Sequence, residues 1–227
     1  MKTSNYYLKL IKLSCILLFS IPVETHAITN LVACFESYNK KQILLGEDEK
    51  ANLASAEAVK TITRVSDQDC IIIKSVGYSF EQSLNIGSQS SGVGAGKVTF
   101  NPVTIIKSVD LLSPEFFQRM ASGTPFKSVN LFLIKNNPDS VNKNNYSVFM
   151  MIQLGLVAIQ KLESTFEDGG VDMVTENLTL EYGKFKLTTF VTDPVTGQKL
   201  KTIEKGWDRV KNVSLSTDSD IPDLKPQ

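Results

Sequence analysis

The stretch with the clearest potential for chemistry is SQSSGVGAGKVTFNPVTIIKSVD, residues 88–110. Gly92, Gly94 and Gly96 alternate there, and Lys97 comes next. Glycine-rich loops let backbone N–H groups approach phosphates, and a lysine beside them neutralises charge, so nucleotide binding is the first chemistry to test. A Walker A loop requires G-x-x-x-x-G-K-[ST]. Gly96-Lys97 fits its end, but Ser91 stands at the first glycine and Val98 stands where the Mg²⁺-binding hydroxyl belongs. A dinucleotide fingerprint, G-x-G-x-x-G, fares no better: Gly92 and Gly94 fit, and Lys97 takes the last glycine's place. That fingerprint also needs a helix at once, because the helix N-terminus holds the pyrophosphate. The chain instead continues as KVTFNPVTII, alternating and β-branched, with Pro102 inside it. This is a strand. The glycines read as a flexible loop between two strands, and no cofactor is expected.

Other catalytic constellations fail on composition. His26 is the single histidine, and it falls in the first 27 residues, which have the features of a removable leader. Without imidazole there is no Ser-His-Asp or Cys-His centre and no histidine-bound metal. A Ser-Lys hydrolase needs no histidine, but no spacing in the chain supports one. The cysteines beyond the leader are Cys34 and Cys70, too few to close a four-ligand zinc site. An oxidising compartment would allow them one disulfide. Neither an enzyme nor a metal site is expected.

The leader is residues 1–27. Lys2, Lys9 and Lys12 make a basic start, Leu13 to Val23 is a short apolar run, and Thr25-His26-Ala27 resembles a cleavage site. This is the layout of a secretory signal peptide, and the run is too short to span a bilayer comfortably. Leu31 to Cys34, LVAC, matches a lipobox, but Glu24, Thr25, His26, Thr29 and Asn30 separate it from the apolar run that a lipobox normally ends, which argues against lipidation at Cys34. Export to the periplasm or beyond is therefore expected, with no stable membrane insertion after cleavage. Of the 24 basic and 24 acidic residues, the leader takes three lysines and Glu24, leaving 21 against 23. That balance shows no basic footprint for nucleic acid. The remaining 200 residues suit one domain, 28–212, with a sizeable core.

The elements that must position these residues are mostly strands. Residues 29–38, TNLVACFESY, read as the first. Residues 39–69 are polar and charged, with Ala51, Ala54, Ala58 and Ile62 at helical spacing. CIIIKSVGYSF, from Cys70, is strand-like, and Pro102 marks an edge or a bulge in the strand after the glycine loop. LSPEFFQRMASG is the clearest helix, with Ser113 as N-cap, Pro114 at the first position and Gly123 at the end. Strands FKSVNLFLIK, YSVFMMIQLGLVAIQKL, TENLTLEYGKFKLTTFV and LKTIEKGWDRVKN come after it. Residues 213–227 are polar and read as a disordered tail. Together these predict a mainly β protein, a barrel or sandwich with one flanking helix. Leu178, Leu180 and Tyr182 share one parity, whereas Phe185 and Leu187 take the other, which predicts a β-bulge at Gly183. VFMMIQLGLVAI, residues 148–159, is apolar on both parities. One face can line the core, and the other must meet the helix or a second subunit.

The order of these pieces resembles the Hcp family, the hemolysin-coregulated proteins of type VI secretion. The resemblance rests on Tyr78-Ser79-Phe80 before the loop, Gly94 to Phe100 at its exit, and Lys107, Asp110, Ser113 and Pro114 at the helix entry. It continues through Glu176, Leu178, Leu180, Tyr182 and Lys184, and ends at Gly206-Trp207-Asp208. It covers roughly residues 70–212. It implies a β-barrel with a flanking helix, assembled into a six-membered ring that stacks into a tube and can carry small effectors in its lumen. It implies no catalytic core. Gly92, Gly94, Gly96 and Lys97 would then touch the next ring or subunit. In the resembling fold the first two strands lie close, which makes a Cys34–Cys70 disulfide an expectation; the alternative is two buried, reduced thiols. Tube subunits of the family carry no signal peptide. The leader, the long 39–69 segment and the tail therefore leave two roles open: an exported ring subunit, or an exported binding module or effector that keeps the fold.

Overall fold

The computed structural model describes residues 28–38, 69–83, 98–136, 146–166, 174–193 and 199–215. Within them the order is β1 (Ile28–Ser37), β2 (Asp69–Ile73), β3 (Ser75–Gly77), β4 (Phe80–Gln82), β5 (Val98–Phe100), β6 (Val103–Ser108), α1 (Ser113–Ser122), β7 (Phe126–Asn136), β8 (Tyr146–Phe166), β9 (Val174–Thr192), β10 (Lys199–Asp208) and β11 (Val213–Ser214). The strand expectation holds, and every pairing is antiparallel. The main sheet runs β11-β10-β9-β8-β7-β1-β2, with β6 branching from β9 and β3 pairing β6. Pro102 sits between β5 and β6, where the ladder changes partners from β4 to β3 and β9. A residue without an N–H suits such a break.

β9 explains the branching. Its first half, Thr175 to Leu180, pairs β6 on the edge where its second half, Lys184 to Thr192, pairs β10. The changeover falls at Gly183. Leu178, Leu180, Tyr182 and Phe185 all enter one buried cluster, so the inward parity slips there as the sequence predicts. No extra residue is inserted, however. β8 slips at the same level, from Ile152 and Leu154 to Val157, and pairing runs on through Gly155↔Lys184 and Val157↔Tyr182. Leu156 absorbs the slip with φ +53°, a left-handed conformation rare for a branched residue. Its side chain lies 3.2 Å from where a Cβ on Gly183 would sit. Glycine at 183 leaves room for that crossing. The register shift of the pair lies further on, between Ile159 and Lys161.

α1 departs from the expected cap. Leu112 is the N-cap and makes no side-chain cap bond, while Ser113 is the first helical residue. Asp110 Oδ1 instead accepts from the Leu112 N–H at 2.9 Å. The Ser113 hydroxyl is drawn into a buried ionic cluster with Lys107 and Glu176. The other end is as expected: Gly123, at φ +65°, closes the helix in the left-handed conformation.

The doubly apolar run of β8 is buried on both faces as far as Gly155, and Leu156 and Ala158 beyond it are exposed. Ile152, Leu154 and Val157 join Phe35, Ile105, Leu112, Phe116, Leu131 and Leu180 in the larger cluster. Val148 and Met151 join Val32, Cys34, Cys70, Phe132, Ile134 and Phe190 on the opposite face. α1 packs into the larger cluster, through Leu112 and Phe116, so the helix does not cover the second face. Met151 is nevertheless 2 % exposed in the single chain. The second face is thus covered around Met151 in the single chain, while Leu156, at 47 % exposed, stays open to solvent beyond the crossing. The expected helix at residues 51–62, the leader and the tail beyond residue 215 lie outside the described residues. β11 occupies the start of the stretch read as tail.

Candidate functional site

Lys107, Asp110 and Ser113, neighbours in the sequence, meet the distant Glu176 at the entry to α1. Lys107 stands opposite Glu176 in the β6–β9 ladder, and its Nζ is 2.6 Å from Glu176 Oε2. The same ammonium donates to Ser113 Oγ at 3.0 Å and to the Ser108 carbonyl at 2.8 Å, with Asp110 Oδ1 at 3.0 Å. Ser113 in turn donates to Glu176 Oε2 at 2.7 Å and accepts from the Asp110 N–H at 3.0 Å. Lys107 is fully buried. Its ammonium is surrounded by acceptors and serves as their donor. What it does is fasten the first turn of α1 to two strands.

The second cluster holds the β4–β5 hairpin against β9. Phe80 faces Phe100 at 5.4 Å and Phe185 at 4.9 Å, and Tyr78 meets Phe185 at 5.5 Å between ring centres. Arg209 lies over Tyr182 at 4.7 Å and over Phe100 at 5.5 Å, and pairs with Glu181. Its backbone N–H donates to the Gly183 carbonyl at 2.9 Å. The Tyr182 hydroxyl donates to the Asn101 carbonyl at 3.1 Å, and Asn101 Nδ2 donates to Ser79 Oγ and to Glu81 Oε1, each at 3.0 Å. Burial pushes the Tyr182 phenol up to about 12, against the attraction of Arg209 and with a smaller contribution from the Glu181 charge. The last pair of this anchored hairpin is Gln82↔Val98, and residues 83–97 connect its two strands in sequence. Gly92, Gly94, Gly96 and Lys97 lie outside the described residues; the two strands expected on either side of them are in place.

Cys34 and Cys70 stand directly opposite each other in the β1–β2 ladder. Their Cα atoms are 4.0 Å apart and their sulfurs lie at bonding distance, 2.10 Å. Among the described residues no group of three His, Cys, Asp or Glu side chains is placed to hold a metal, and no helix is long and apolar enough to cross a membrane. Arg209 and Leu156 carry no signal in the sequence. Arg209 is an ordinary surface residue by pattern, and the apolar parity of β8 conceals the slip at Leu156.

The family model described as "Type VI secretion system effector, Hcp" matches residues 62–188, from the approach to β2 into β9. The chain belongs to the Hcp family. Solved Hcp structures share its fold. A type six secretion system protein covers 82% of this chain and 99% of its own at 14% identity, with a TM-score of 0.59. Hcp1 from Salmonella typhimurium gives 16% identity and a TM-score of 0.53, with the same coverage. Hcp1 from E. coli EAEC 042 gives 14% and 0.54, covering 79% of this chain and 98% of its own. No curated protein matches the chain. At these identities the structures establish the Hcp-like fold: mainly β, antiparallel, with a helix lying on the sheet.

Proposed function

We propose that the exported, mature chain is a non-enzymatic structural subunit that forms a six-membered ring of the type VI tube kind. The observation that carries this reading is the family match, which spans the hairpin, the buried Lys107 cluster and the corner at Gly183 in one continuous stretch. Ring closure obeys the usual logic of a heterologous contact repeated by rotation. The segment 84–97, which joins β4 to β5, is the part of this reading that meets a neighbouring ring or subunit. We also assign β2 and β3 to one kinked strand that closes the sheet into a barrel. The bond from the Lys74 N–H to the Ile106 carbonyl, 2.7 Å across the break, supports this.

Export rests on the leader and is consistent with the cysteine geometry, since a Cys34–Cys70 bridge forms and persists in an oxidising compartment. Fractionation of the native cell with N-terminal sequencing tests it: a periplasmic or secreted chain beginning near Ile28 supports export, and a cytoplasmic chain beginning at Met1 overturns it. Negative-stain imaging of the mature protein tests the ring, which should show as annular particles with an open centre. One observation favours the second role, a monomeric binding module. Val148 and Met151 on the outer face of β8 are already buried within one chain, which leaves only the half-exposed Leu156 on that run for a neighbour to cover.

A further inference from the structure

Both sulfurs of the β1–β2 pair are shut inside the domain. Cys34 is 0% exposed and Cys70 3%. They share one apolar cluster with Val32, Phe132, Ile134, Val148, Met151 and Phe190. On the other flank of β1, Asn130 stands opposite Cys34 and accepts from Gln153 Nε2 at 3.2 Å, and both amides are fully buried. Thiol–disulfide exchange requires a thiolate to reach a sulfur. Burial at this depth denies that approach to reductant and oxidant alike. The order of the chain allows it earlier. Of the residues that bury the two sulfurs, Phe132 and Ile134 belong to β7, Val148 and Met151 to β8 and Phe190 to β9, all C-terminal to both cysteines. Chains are made and domains ordered from the N-terminus, so both thiols are presented before the strands that cover them.

We propose that Cys34 and Cys70 are oxidised on the unfolded chain, and that β7, β8 and β9 then close over the bridge and seal it. The reaction that supplies the bridge is thiol–disulfide exchange with a dithiol oxidase. The thiolate of one cysteine attacks the oxidase's disulfide, forming a mixed disulfide and freeing one oxidase thiolate. The thiolate of the second cysteine attacks the first cysteine's sulfur and releases the other oxidase thiolate. Two electrons pass to the oxidase, and the two protons given up by the cysteines are balanced by those its thiolates take up. The product is a β1–β2 pair held in the register Cys34↔Cys70, and β7 adds to the other edge of β1 through Cys34↔Asn130. A bridge sealed in this way is a fixed part of the fold and not a reversible redox switch. Only the class of oxidant rests on the export reading. Burial and chain order hold in any compartment, so cell fractionation tests export and the rates below test the order of events.

Two rate measurements on residues 28–227 test this order. In the first, the bridged protein is held in dithiothreitol with urea below the unfolding transition, and free thiols are trapped with iodoacetamide and counted by mass. Reduction that waits on unfolding should speed by at least about threefold for each molar of urea, because unfolding does. A rate that stays flat in urea means attack on the folded domain and overturns the seal. In the second, the reduced chain is diluted out of urea, oxidised glutathione is added after increasing delays, and folding is followed by the fluorescence of Trp207. Bridge formation should slow at least about tenfold as folding completes, since the thiols then react only through opening of the domain. A reduced chain that does not fold until it is oxidised supports the same order. A chain that folds while reduced and then oxidises as fast as the unfolded one overturns the proposal. So does a chain that forms no bridge with the oxidant present from the start.

Discussion

Replacing Lys107 by Met should be among the most damaging single changes in the domain. The substitution keeps an unbranched chain of similar length and removes the ammonium. Two carboxylates then face each other without a cation: Glu176, whose side chain is 5% exposed, and Asp110, at 11%. Removing one partner of a buried ion pair costs about 3–5 kcal/mol, because the remaining charge stays desolvated. Ser113 also loses a donor, and the first turn of α1 loses its tie to β6 and β9. Against a total stability of about 5–15 kcal/mol, this is a large fraction. With a urea slope of about 2–3 kcal/mol per molar, the unfolding midpoint should fall by about 1–2.5 M. Equilibrium unfolding of residues 28–227, followed by the fluorescence of Trp207, measures it. The double variant Lys107→Met, Glu176→Leu removes both charges of the closest pair and should recover more than half of the loss. A single variant within about 1 kcal/mol of the parent would refute the assignment of Lys107 as the ion that holds α1 to the sheet.

Tyr182 should ionise late. Its folded pKa is raised to about 12 from an ordinary value of 10.0, so its contribution to stability is complete below pH 10 and is lost as pH rises from 10 towards 12. Tyrosinate absorbance that loses its latest-titrating component in Tyr182→Phe would confirm the assignment; a parent whose tyrosines all titrate near 10 would refute it. At Leu156 the order of tolerance should reverse size: Leu156→Val should cost about 1–2 kcal/mol from left-handed strain on a β-branched residue, whereas Leu156→Gly should stay within about 1 kcal/mol of the parent in the same urea assay. The exported protein should contain a Cys34–Cys70 bridge closing a separation of 36 residues, worth about 3–4 kcal/mol in the chain-entropy model. Mass spectrometry after alkylation without reductant should find no modified thiol at either position, and two alkylated cysteines would contradict the bridge.

The local grammar of this chain is readable because its strands alternate and its helix carries proline at the start and glycine at the end. Even the corner at Gly183 shows as a parity change between Tyr182 and Phe185. Its counterpart at Leu156 does not show, because QLGLVAI is apolar on both parities and a slip leaves no trace in such a run. Ser113 misleads for a different reason. By local rules it is a cap, but its hydroxyl is claimed by Lys107 and by Glu176, which lies 63 residues further on, and no local pattern announces a tertiary contact. The sequence displays Lys107, Asp110 and Ser113 together at the helix entry and Glu176 as a separate mark, and folding joins the two into one cluster. β8 shows the limit from the other side. Its composition demands burial on both faces, yet burial alone does not say whether the cover comes from the same chain or from another.

The mass of the mature protein in solution is the most direct test of the ring. Residues 28–227 at tens of micromolar, measured by light scattering after size-exclusion chromatography, should give about six times the mass of one chain, as expected of a closed heterologous ring. A clean single-chain mass at that concentration would contradict the ring-subunit reading while leaving the Hcp fold untouched.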